Sequence, residues 1–278
     1  MNAEWTTLLK KTATNIRKSV IEEVAAAGSG HPGGSLSISD IMAYLYFKEM
    51  KIDPACPRDP DRDRFVMSKG HCSPALYATL AERGFFPKAD LLGFRQASSY
   101  LEGHPNMNQV SGVDMSTGSL GQGISAAVGM ALAGKIDGKA YRVFAVLGDG
   151  ELEEGEVWEA VMSAAHYKLD NLIAFVDYNG LQIDGKITDV MNPEPIADKF
   201  KAFRWNTITI DAHDFGQIES AVTQASANIG SPTLILAHSV KGKGVSFMEN
   251  QASWHGMAPK KEQRDQAIAE LDAYAAAL

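Results

Sequence analysis

The second half of the sequence alternates short apolar runs with amphipathic segments, and this alternation narrows the possible folds. The runs are YRVFAVL, NLIAFVD, RWNTITI and TLILAHS, and the segments EVWEAVMSAAHY and QIESAVTQASANI have apolar residues at helical spacing. Strands that alternate with helices pair in parallel, and continuous apolar runs are typical of strands covered on both faces. The sequence therefore predicts an α/β fold with a doubly wound, mostly parallel sheet and helices on both faces.

The first half of the sequence predicts further helices. Apolar spacing indicates one helix over residues 5–27 that ends at Gly28, and another over PALYATLAERG. The segment GQGISAAVGMALAGK also has helical spacing, and its small residues would let another backbone come close. Because no linker rich in Pro, Gly or Ser divides the chain, we expect a single domain over residues 1–278.

Charge and composition exclude several classes of partner. A formal net charge of −8 without a basic stripe argues against nucleic-acid binding. No apolar run is long enough to span a membrane, and the N-terminus MNAEWTTLLKK lacks the layout of a signal peptide, so we expect a cytoplasmic protein. Cys56 and Cys72 show no metal-site spacing, and both are expected to be buried or half-buried.

The stretch AVLGDGELEEGEVWEA suggests a metal site. It places Asp149 directly after a predicted strand, and Asn179 follows the next strand, NLIAFVD. Side chains at the carboxyl ends of neighbouring parallel strands can meet, and Mg²⁺ or Ca²⁺ takes such oxygens together with carbonyls and ligand phosphates. The alternative is that the acidic run complements a helix dipole and that YNG is a turn. The combination of Asp149 with Asn179 favours the metal site.

Further blocks of the sequence identify a family. GDG followed by Asn179 resembles the thiamin diphosphate signature, in which Asp and Asn hold the metal that binds the diphosphate of the cofactor. The whole set is similar, in the same order, to the blocks of a transketolase amino-terminal domain: GSGHPGGSLS, DRDRFVMSKGH, EGHP, STGSLGQGIS, GDGELEEGEVWEA, DYNGLQIDG and KGKGVSFMENQASWHG. The resemblance extends over nearly the whole chain.

The resemblance implies a diphosphate-binding domain that holds thiamin diphosphate and Mg²⁺, or Ca²⁺ in its place. The implied metal ligands are Asp149, Asn179 and the main-chain carbonyl of Leu181. The implied contacts of the diphosphate are Gly150, His71, Lys241 and His255. Gly118 and Leu120 would line the aminopyrimidine of a cofactor that is shared with another chain.

Three loop histidines are implied to act on the substrate. His31 and His104 resemble the substrate-side histidines of the family, and His255 would face both diphosphate and substrate. Histidine suits a polyhydroxylated sugar phosphate, because it donates, accepts and changes protonation near neutral pH. The other histidines match no motif and are predicted to lie at the surface: His166, His213 and His238.

The glutamates behind Asp149 divide into two groups. Glu154 and Glu159 match family positions in a buried, proton-sharing carboxylate network that runs between the two active sites of a dimer. Glu151, Glu153 and Glu156 match no such position, and we expect them to complement a helix dipole or to be solvated.

The resemblance also implies a partner. Transketolases continue with a pyrimidine-binding domain, which carries the glutamate that activates the cofactor, and with a carboxy-terminal domain. The chain is then either cut from a longer protein or the natural subunit of a split enzyme. We expect the second, with both domains on a separate chain, because this chain starts with Met and closes on a predicted helix. We expect the chain to be inactive alone. The assembly would be built around a pair of these chains, like a heterotetramer, and would transfer a two-carbon ketol unit between sugar phosphates of the pentose phosphate type.

Three kinds of alternative stay open. Subunits of 1-deoxyxylulose-5-phosphate synthase and of 2-oxo-acid dehydrogenases share the GDG and Asn signature, but SGHPGG, SWHG and His104 favour transketolase. A cofactor-binding module without catalysis is the second alternative, and the set of four loop histidines speaks against it. The third is a resemblance of fold without cofactor binding.

Overall fold

A parallel five-stranded sheet organises the computed structural model, which describes residues 1–278. Its strands are β1 (Arg64–Met67), β2 (Val143–Gly148), β3 (Leu172–Tyr178), β6 (Asn206–Asp211) and β7 (Thr233–His238). They lie in the order β1-β2-β3-β7-β6, and all four pairings are parallel. A separate antiparallel ribbon is formed by β4 (Leu181–Gln182) and β5 (Gly185–Lys186). The predicted α/β class with a mostly parallel sheet is confirmed.

Ten α-helices accompany the sheet. They are α1 (Ala3–Ala27), α2 (Pro32–Ser37), α3 (Ser39–Tyr44), α4 (Ser73–Arg83), α5 (Gln122–Ile136), α6 (Gly155–His166), α7 (Ile187–Val190), α8 (Ile196–Ala202), α9 (Phe215–Ala227) and α10 (Lys261–Ala276). Helix α1 begins where the Asn2 side chain accepts a hydrogen bond from the Trp5 N–H and ends at Gly28, in the left-handed conformation that favours glycine. None of the helices is both long and apolar enough to cross a membrane.

Each face of the sheet is covered by its own hydrophobic core. On β2, Phe144 and Val146 join a core of 47 buried residues that includes residues of α1, α3, α4 and α9. The alternate residues Ala145 and Leu147 join a second core of 22 buried residues with α5, α6 and α8. Burial of successive residues on opposite faces explains the continuous apolar runs of the sequence.

Close backbone packing brings the start of α5 to the carboxyl end of β1. A Cβ atom on Gly123 would lie 2.5 Å from the Cα atom of Ser68, and one on Gly70 would lie 2.6 Å from the backbone nitrogen of Gly118. Only glycine fits at such distances. The close approach predicted from the small residues of this segment is therefore present, and it places the STGSLG turn beside the SKGH loop.

The two cysteines differ in exposure. Cys72 is buried, as the sequence predicts, whereas Cys56 is exposed. The prediction for Cys56 is wrong because this residue lies in the polar loop before β1, away from both cores.

Glu23 is a fully buried carboxyl group on α1. Neither of its oxygens has a hydrogen-bond partner, and burial raises the pKa of Glu23 well above its usual value. In the unfolded chain this group loses its proton at an ordinary pKa, whereas in the folded chain it keeps the proton to a higher pH. The stability of the fold therefore falls as pH rises above the unfolded pKa of about 4.3.

We expect Glu23→Gln to remove this dependence on pH. The free energy of unfolding of the wild type, relative to that of the variant, should fall by up to about 1.4 kcal/mol per pH unit between the unfolded and folded pKa values. Urea denaturation at a series of pH values measures the slope. Glu22→Gln is the matched control, because Glu22 is the exposed neighbour. Parallel curves for wild type and Glu23→Gln would contradict the prediction.

Candidate active site

Asp149 and Asn179 leave the same edge of the sheet. Strands β2 and β3 are neighbours, with Gly148 opposite Asp177, so each strand ends one residue before a predicted metal ligand. This adjacency was expected from the spacing of the strands. It places a carboxylate and an amide side by side at the carboxyl ends of parallel strands, where α/β folds bind ligands.

Backbone amides orient both side chains. The Asp149 carboxylate accepts hydrogen bonds from the Gly180 N–H at 2.6 Å and from the Gly150 N–H at 2.9 Å. Asn179 Oδ1 accepts a hydrogen bond from the Leu181 N–H at 3.1 Å. The turn after β3 thus reaches back to the turn after β2 and holds the two groups together.

A cavity of about 370 Å³ opens above these strand ends. It is lined by His31, Gly34, Lys69, His71, His104, Gly118, Leu120, Gly148, Asp149, Gly150, Glu151, Asn179, Leu181, Gln182, Ile183, Lys241 and His255. All of the residues predicted for metal, cofactor and substrate line this one cavity. The two glutamates of the predicted carboxylate network do not.

Three histidines form a triangle in the cavity. The ring centroids of His31 and His71 are 5.1 Å apart, those of His31 and His255 5.3 Å, and those of His71 and His255 5.1 Å. Burial, followed by the charge of Arg95, lowers the pKa of His31 to about 4, and burial, followed by the charge of Lys241, lowers that of His255 to about 3. Burial also lowers the pKa of His71 well below its usual value. All three rings are therefore neutral near pH 7, so each offers one donor and one acceptor.

His104 lines the same cavity from a different loop. The Tyr77 hydroxyl contacts the His104 backbone carbonyl at 3.0 Å, and a Cβ atom on Gly118 would lie 3.2 Å from the His104 ring. Burial lowers the pKa of His104 as well. The absence of a side chain at Gly118 thus lets the His104 ring pack directly against the backbone of the STGSLG turn.

Lys241 and Asp149 are buried charges that face the cavity without ion-pair partners in the chain. Lys241 is 2% exposed and donates a hydrogen bond to the Leu181 carbonyl at 3.1 Å, and its Nζ lies 3.1 Å from His255 Nδ1. Asp149 is 3% exposed, and burial, followed by the charge of Asp177, raises its pKa to about 6. Neither residue takes part in a salt bridge. The Lys241 ammonium would offset a negative group of a ligand, and the Asp149 carboxylate would offset a cation. The two residues therefore fit a ligand that carries charges of both signs.

This donor set fits a hard cation bound to a diphosphate. A carboxylate, an amide oxygen and a backbone carbonyl are the oxygens that Mg²⁺ and Ca²⁺ prefer. No three His, Cys, Asp or Glu side chains come together as a metal cluster, so the ligand and water would complete the coordination shell. Two buried nitrogens of the cavity lining, His31 Nδ1 and Gln182 Nε2, also lack hydrogen-bond partners. Both are available to a bound ligand.

Sequence reasoning missed a buried ion pair at the base of the cavity, which Lys69 helps to line. Lys69 donates hydrogen bonds to Asp177 at 2.6 Å and to the Gly34 carbonyl at 2.8 Å. The Ser37 and Ser239 hydroxyls and the amide of Asn179 also donate to the Asp177 carboxylate. A carboxylate inside the apolar run NLIAFVD was the available signal, because a buried charge requires partners.

The prediction for Glu151 is wrong. Glu151 is 2% exposed and accepts hydrogen bonds from the Ser68 hydroxyl and from backbone N–H groups of the surrounding turns. The short turn after β2 points this side chain back into the protein rather than into solvent. Glu153 is exposed and Glu156 is half-exposed, in line with their prediction.

Glu154 and Glu159 lie on the surface of the chain. Glu154 precedes the first residue of α6, Glu159 lies within that helix, and both are exposed. A network that buries them requires another chain to cover this surface, and their part in it stays a prediction.

The prediction for His213 is also wrong. His213 Nδ1 lies 2.7 Å from Asp40, and the Val240 N–H donates to His213 Nε2 at 3.0 Å. The ring is partly buried because the loop after β6 turns back towards α3. His166 and His238 are exposed, as predicted.

Sequence reasoning also missed Arg95, whose charge acts on two of the cavity histidines. Its guanidinium donates to the Ser29 hydroxyl at 2.7 Å, and its charge contributes to the lowered pKa of His31 and of His104. Arg95 has a positive φ of 58°, a conformation that is uncommon outside glycine. No motif in the loop LLGFRQASSY points to this residue.

Comparison with known proteins relates the chain to components of one enzyme class. It is 48% identical over 264 residues to a 6-deoxy-6-sulfo-D-fructose transketolase subunit of Clostridium sp. (strain MSTE9), covering 95% of this chain and 96% of that one. It is 42% identical to one of the subunits of apulose-4-phosphate transketolase of Phocaeicola vulgatus, covering 92% of this chain and 90% of that one. Both relatives are similar in length to this chain.

Larger transketolases match over part of their length. The chain is 45% identical to human transketolase, covering 95% of this chain but 42% of the human protein. The crystal structure of transketolase from Campylobacter jejuni superposes with a TM-score of 0.90 at 33% identity, covering 98% of this chain and 43% of that chain. Residues 9–273 match the family described as "Transketolase, thiamine diphosphate binding domain". With this match over nearly all of its residues, the chain belongs to the family of transketolase thiamine diphosphate binding domains.

Proposed function

We propose that this chain is the diphosphate-binding subunit of a thiamin diphosphate-dependent transketolase. With a partner subunit, it would transfer a two-carbon ketol unit from a ketose phosphate to an aldose phosphate. One observation carries the proposal: a single cavity at the carboxyl ends of β2 and β3 collects Asp149, Asn179, Lys241 and the loop histidines. The whole of residues 1–278 would form one diphosphate-binding domain.

Within the cavity, two sets of groups would hold the metal and the diphosphate. Asp149, Asn179 and the carbonyl of Leu181 would bind Mg²⁺, or Ca²⁺ in its place. The diphosphate would be bound by Lys241, His71, His255 and the backbone of Gly150. Gly118 and Leu120 would line the aminopyrimidine. Binding would give Lys241 and Asp149 each an opposite charge.

The neutral histidines would act on the sugar. When bound, thiamin diphosphate supplies a nucleophilic carbon and an electron sink for cleaving a carbon–carbon bond beside a carbonyl. His31, His104 and His255 would hydrogen-bond the sugar hydroxyls and carbonyl, and would take up and return protons at their ring nitrogens. Their lowered pKa values favour the neutral ring, which is able to accept a proton.

Two observations support a partner subunit. Two relatives that are similar in length to this chain are named as transketolase subunits. The larger transketolases extend well beyond the matched region. The partner would carry the pyrimidine-binding domain, with its activating glutamate, and the carboxy-terminal domain. A pair of the present chains would lie at the centre of the assembly, which we place in the cytoplasm, and would bring Glu154 and Glu159 into their shared network.

The names of the relatives suggest candidate substrates. The relatives are named for two unlike sugars, 6-deoxy-6-sulfo-D-fructose and apulose 4-phosphate. Pentose phosphates are the first candidates, and a sulfo sugar is a second, because a 48% identical relative is named for it.

A ketol-transfer assay tests the proposal. We expect no turnover of xylulose 5-phosphate with ribose 5-phosphate by this chain alone, and turnover when a partner bearing the missing domains is added with thiamin diphosphate and Mg²⁺. The same mixture is assayed with 6-deoxy-6-sulfo-D-fructose as donor. Consumption of pyruvate without turnover of any ketose would contradict the proposal and favour another thiamin diphosphate enzyme. Tight cofactor binding without turnover of any substrate would favour a non-catalytic module.

A further inference from the structure

Glu151 connects three loops that surround the cavity. One carboxylate oxygen, Oε1, accepts hydrogen bonds from the Ser68 hydroxyl at 2.5 Å and from the Gly121 N–H at 3.0 Å. The other, Oε2, accepts one from the Gly148 N–H at 3.1 Å. The Ser68 hydroxyl in turn accepts the Ile124 N–H at 3.0 Å, so the start of α5 belongs to the same set of contacts.

Each connected loop bears a different part of the proposed cofactor site. Ser68 directly precedes Lys69 and the His71 loop, and Gly121 directly follows Leu120. Gly148 directly precedes Asp149. Hydrogen bonds to a charged acceptor are stronger than those to a neutral one, and three donors from three loops converge on one buried carboxylate.

We infer that Glu151 is a positioning residue that sets the distance between the Leu120 turn and the Asp149 turn. These turns would hold the two ends of thiamin diphosphate, the aminopyrimidine and the metal-bound diphosphate, so the inference rests on the proposed function. Glu151 acts through the backbone of both turns. It does not have to touch the cofactor.

Replacing Glu151 with Gln keeps the size of the side chain and removes one acceptor. In either orientation of the amide, its NH₂ group meets a backbone N–H, that of Gly121 or that of Gly148, so one turn is released. We expect the dissociation constant of thiamin diphosphate, measured by calorimetric titration of the assembled enzyme at saturating Mg²⁺, to rise about 10- to 100-fold. At saturating cofactor, the KM for the sugar substrates should stay unchanged.

Asp63→Asn is a matched control at the opposite end of the same strands. Asp63 is 4% exposed and accepts hydrogen bonds from the Arg142 N–H at 2.8 Å and the Lys51 N–H at 2.9 Å. This substitution also converts a buried, multiply bonded carboxylate into an amide, and it lies just before β1. We expect it to lower the melting temperature without changing the dissociation constant of the cofactor.

A second variant covers the case in which Glu151→Gln does not fold. Ser68→Ala removes the hydroxyl between Glu151 and Ile124 but keeps both backbone contacts of Glu151, and the dissociation constant should rise about threefold to tenfold. Unchanged affinity in Glu151→Gln and Ser68→Ala, or an equal loss in Asp63→Asn, would overturn the inference. A wild-type assembly that binds no thiamin diphosphate would overturn the proposed function itself.

Discussion

Asp149→Asn is expected to abolish metal-dependent cofactor binding while leaving the fold intact. The substitution removes the one carboxylate among the proposed metal ligands, and the remaining ligands are a side-chain amide and a backbone carbonyl. Because a Mg²⁺ site of this kind depends on its carboxylate, the dissociation constant of thiamin diphosphate should rise about 100-fold or more. Lys241 would remain to bind the diphosphate, but the contribution of the metal would be lost.

The stability of the variant should change far less than its cofactor affinity. Asp149 is buried without an ion-pair partner, and such a charge destabilises a fold. Removing the charge is opposed by the new amide NH₂ group, which meets the N–H of Gly150 or of Gly180. We therefore expect the melting temperature of the chain alone to change little in Asp149→Asn. Loss of binding together with nearly unchanged stability distinguishes a ligand from a structural residue.

A neighbouring aspartate provides the control for this experiment. Asp184 lies in the adjacent IDG turn and is exposed, so Asp184→Asn changes the same charge without touching the cavity. Calorimetric titration with thiamin diphosphate and Mg²⁺, and thermal unfolding with and without both, measure the two effects. Cofactor affinity of Asp149→Asn equal to that of Asp184→Asn would remove Asp149 from the proposed ligands.

The part of the site that follows from strand spacing could be predicted from the sequence. Asp149 and Asn179 each stand directly after an apolar run, and parallel strands bring their carboxyl ends together by topology alone. The loop histidines could be proposed from motifs, because each lies in a short glycine- or proline-containing block. The inference on Asp149 and Asn179 needed only the order of elements along the chain, whereas the roles of the histidines came from the family resemblance.

The residues that were missed depend on side-chain direction and long-range contacts. Glu151 lies in an acidic run that looks solvated, and only its contact with Ser68, far away in the chain, shows that it is buried. His213 matches no motif, and its ring reaches Asp40 through the turn after β6. Periodicity and short motifs carry no information on such contacts, because they arise from the packing of separate elements.

Lys69 gives the clearest case of a residue whose importance lies in packing beneath the site. It is 2% exposed, and its partner Asp177 is fully buried in β3. Asp177 also accepts a hydrogen bond from the amide of Asn179 at 3.0 Å, which leaves the Asn179 oxygen directed away from Asp177. The ion pair thus connects the stability of the sheet to the orientation of a proposed metal ligand.

Replacing Lys69 with Met should destabilise the fold by about 3–5 kcal/mol. The substitution leaves Asp177 buried without a cation, and breaking a buried pair by removing one partner costs about this much. The pKa of Asp177, which is held below its usual value mainly by the charge of Lys69, should rise. Stability should therefore decrease more at pH 7 than at pH 4, because protonation of Asp177 removes the unpaired charge.

A double-mutant cycle measured by urea denaturation tests this prediction. Asp177→Asn in the Lys69→Met background removes the unpaired carboxylate charge of Asp177. The double variant should therefore be more stable than Lys69→Met alone. Lys18→Met is the control, since Lys18 pairs with Asp272 at the surface, and exposed pairs contribute little. A loss in Lys69→Met no larger than that in Lys18→Met would show that the buried pair does not hold the sheet. Strict additivity of the two substitutions would show that Lys69 and Asp177 contribute independently to stability. The hydrogen bonds of Asp177 to Ser37 and Ser239, rather than the ion pair, would then hold Asp177 in place to orient Asn179.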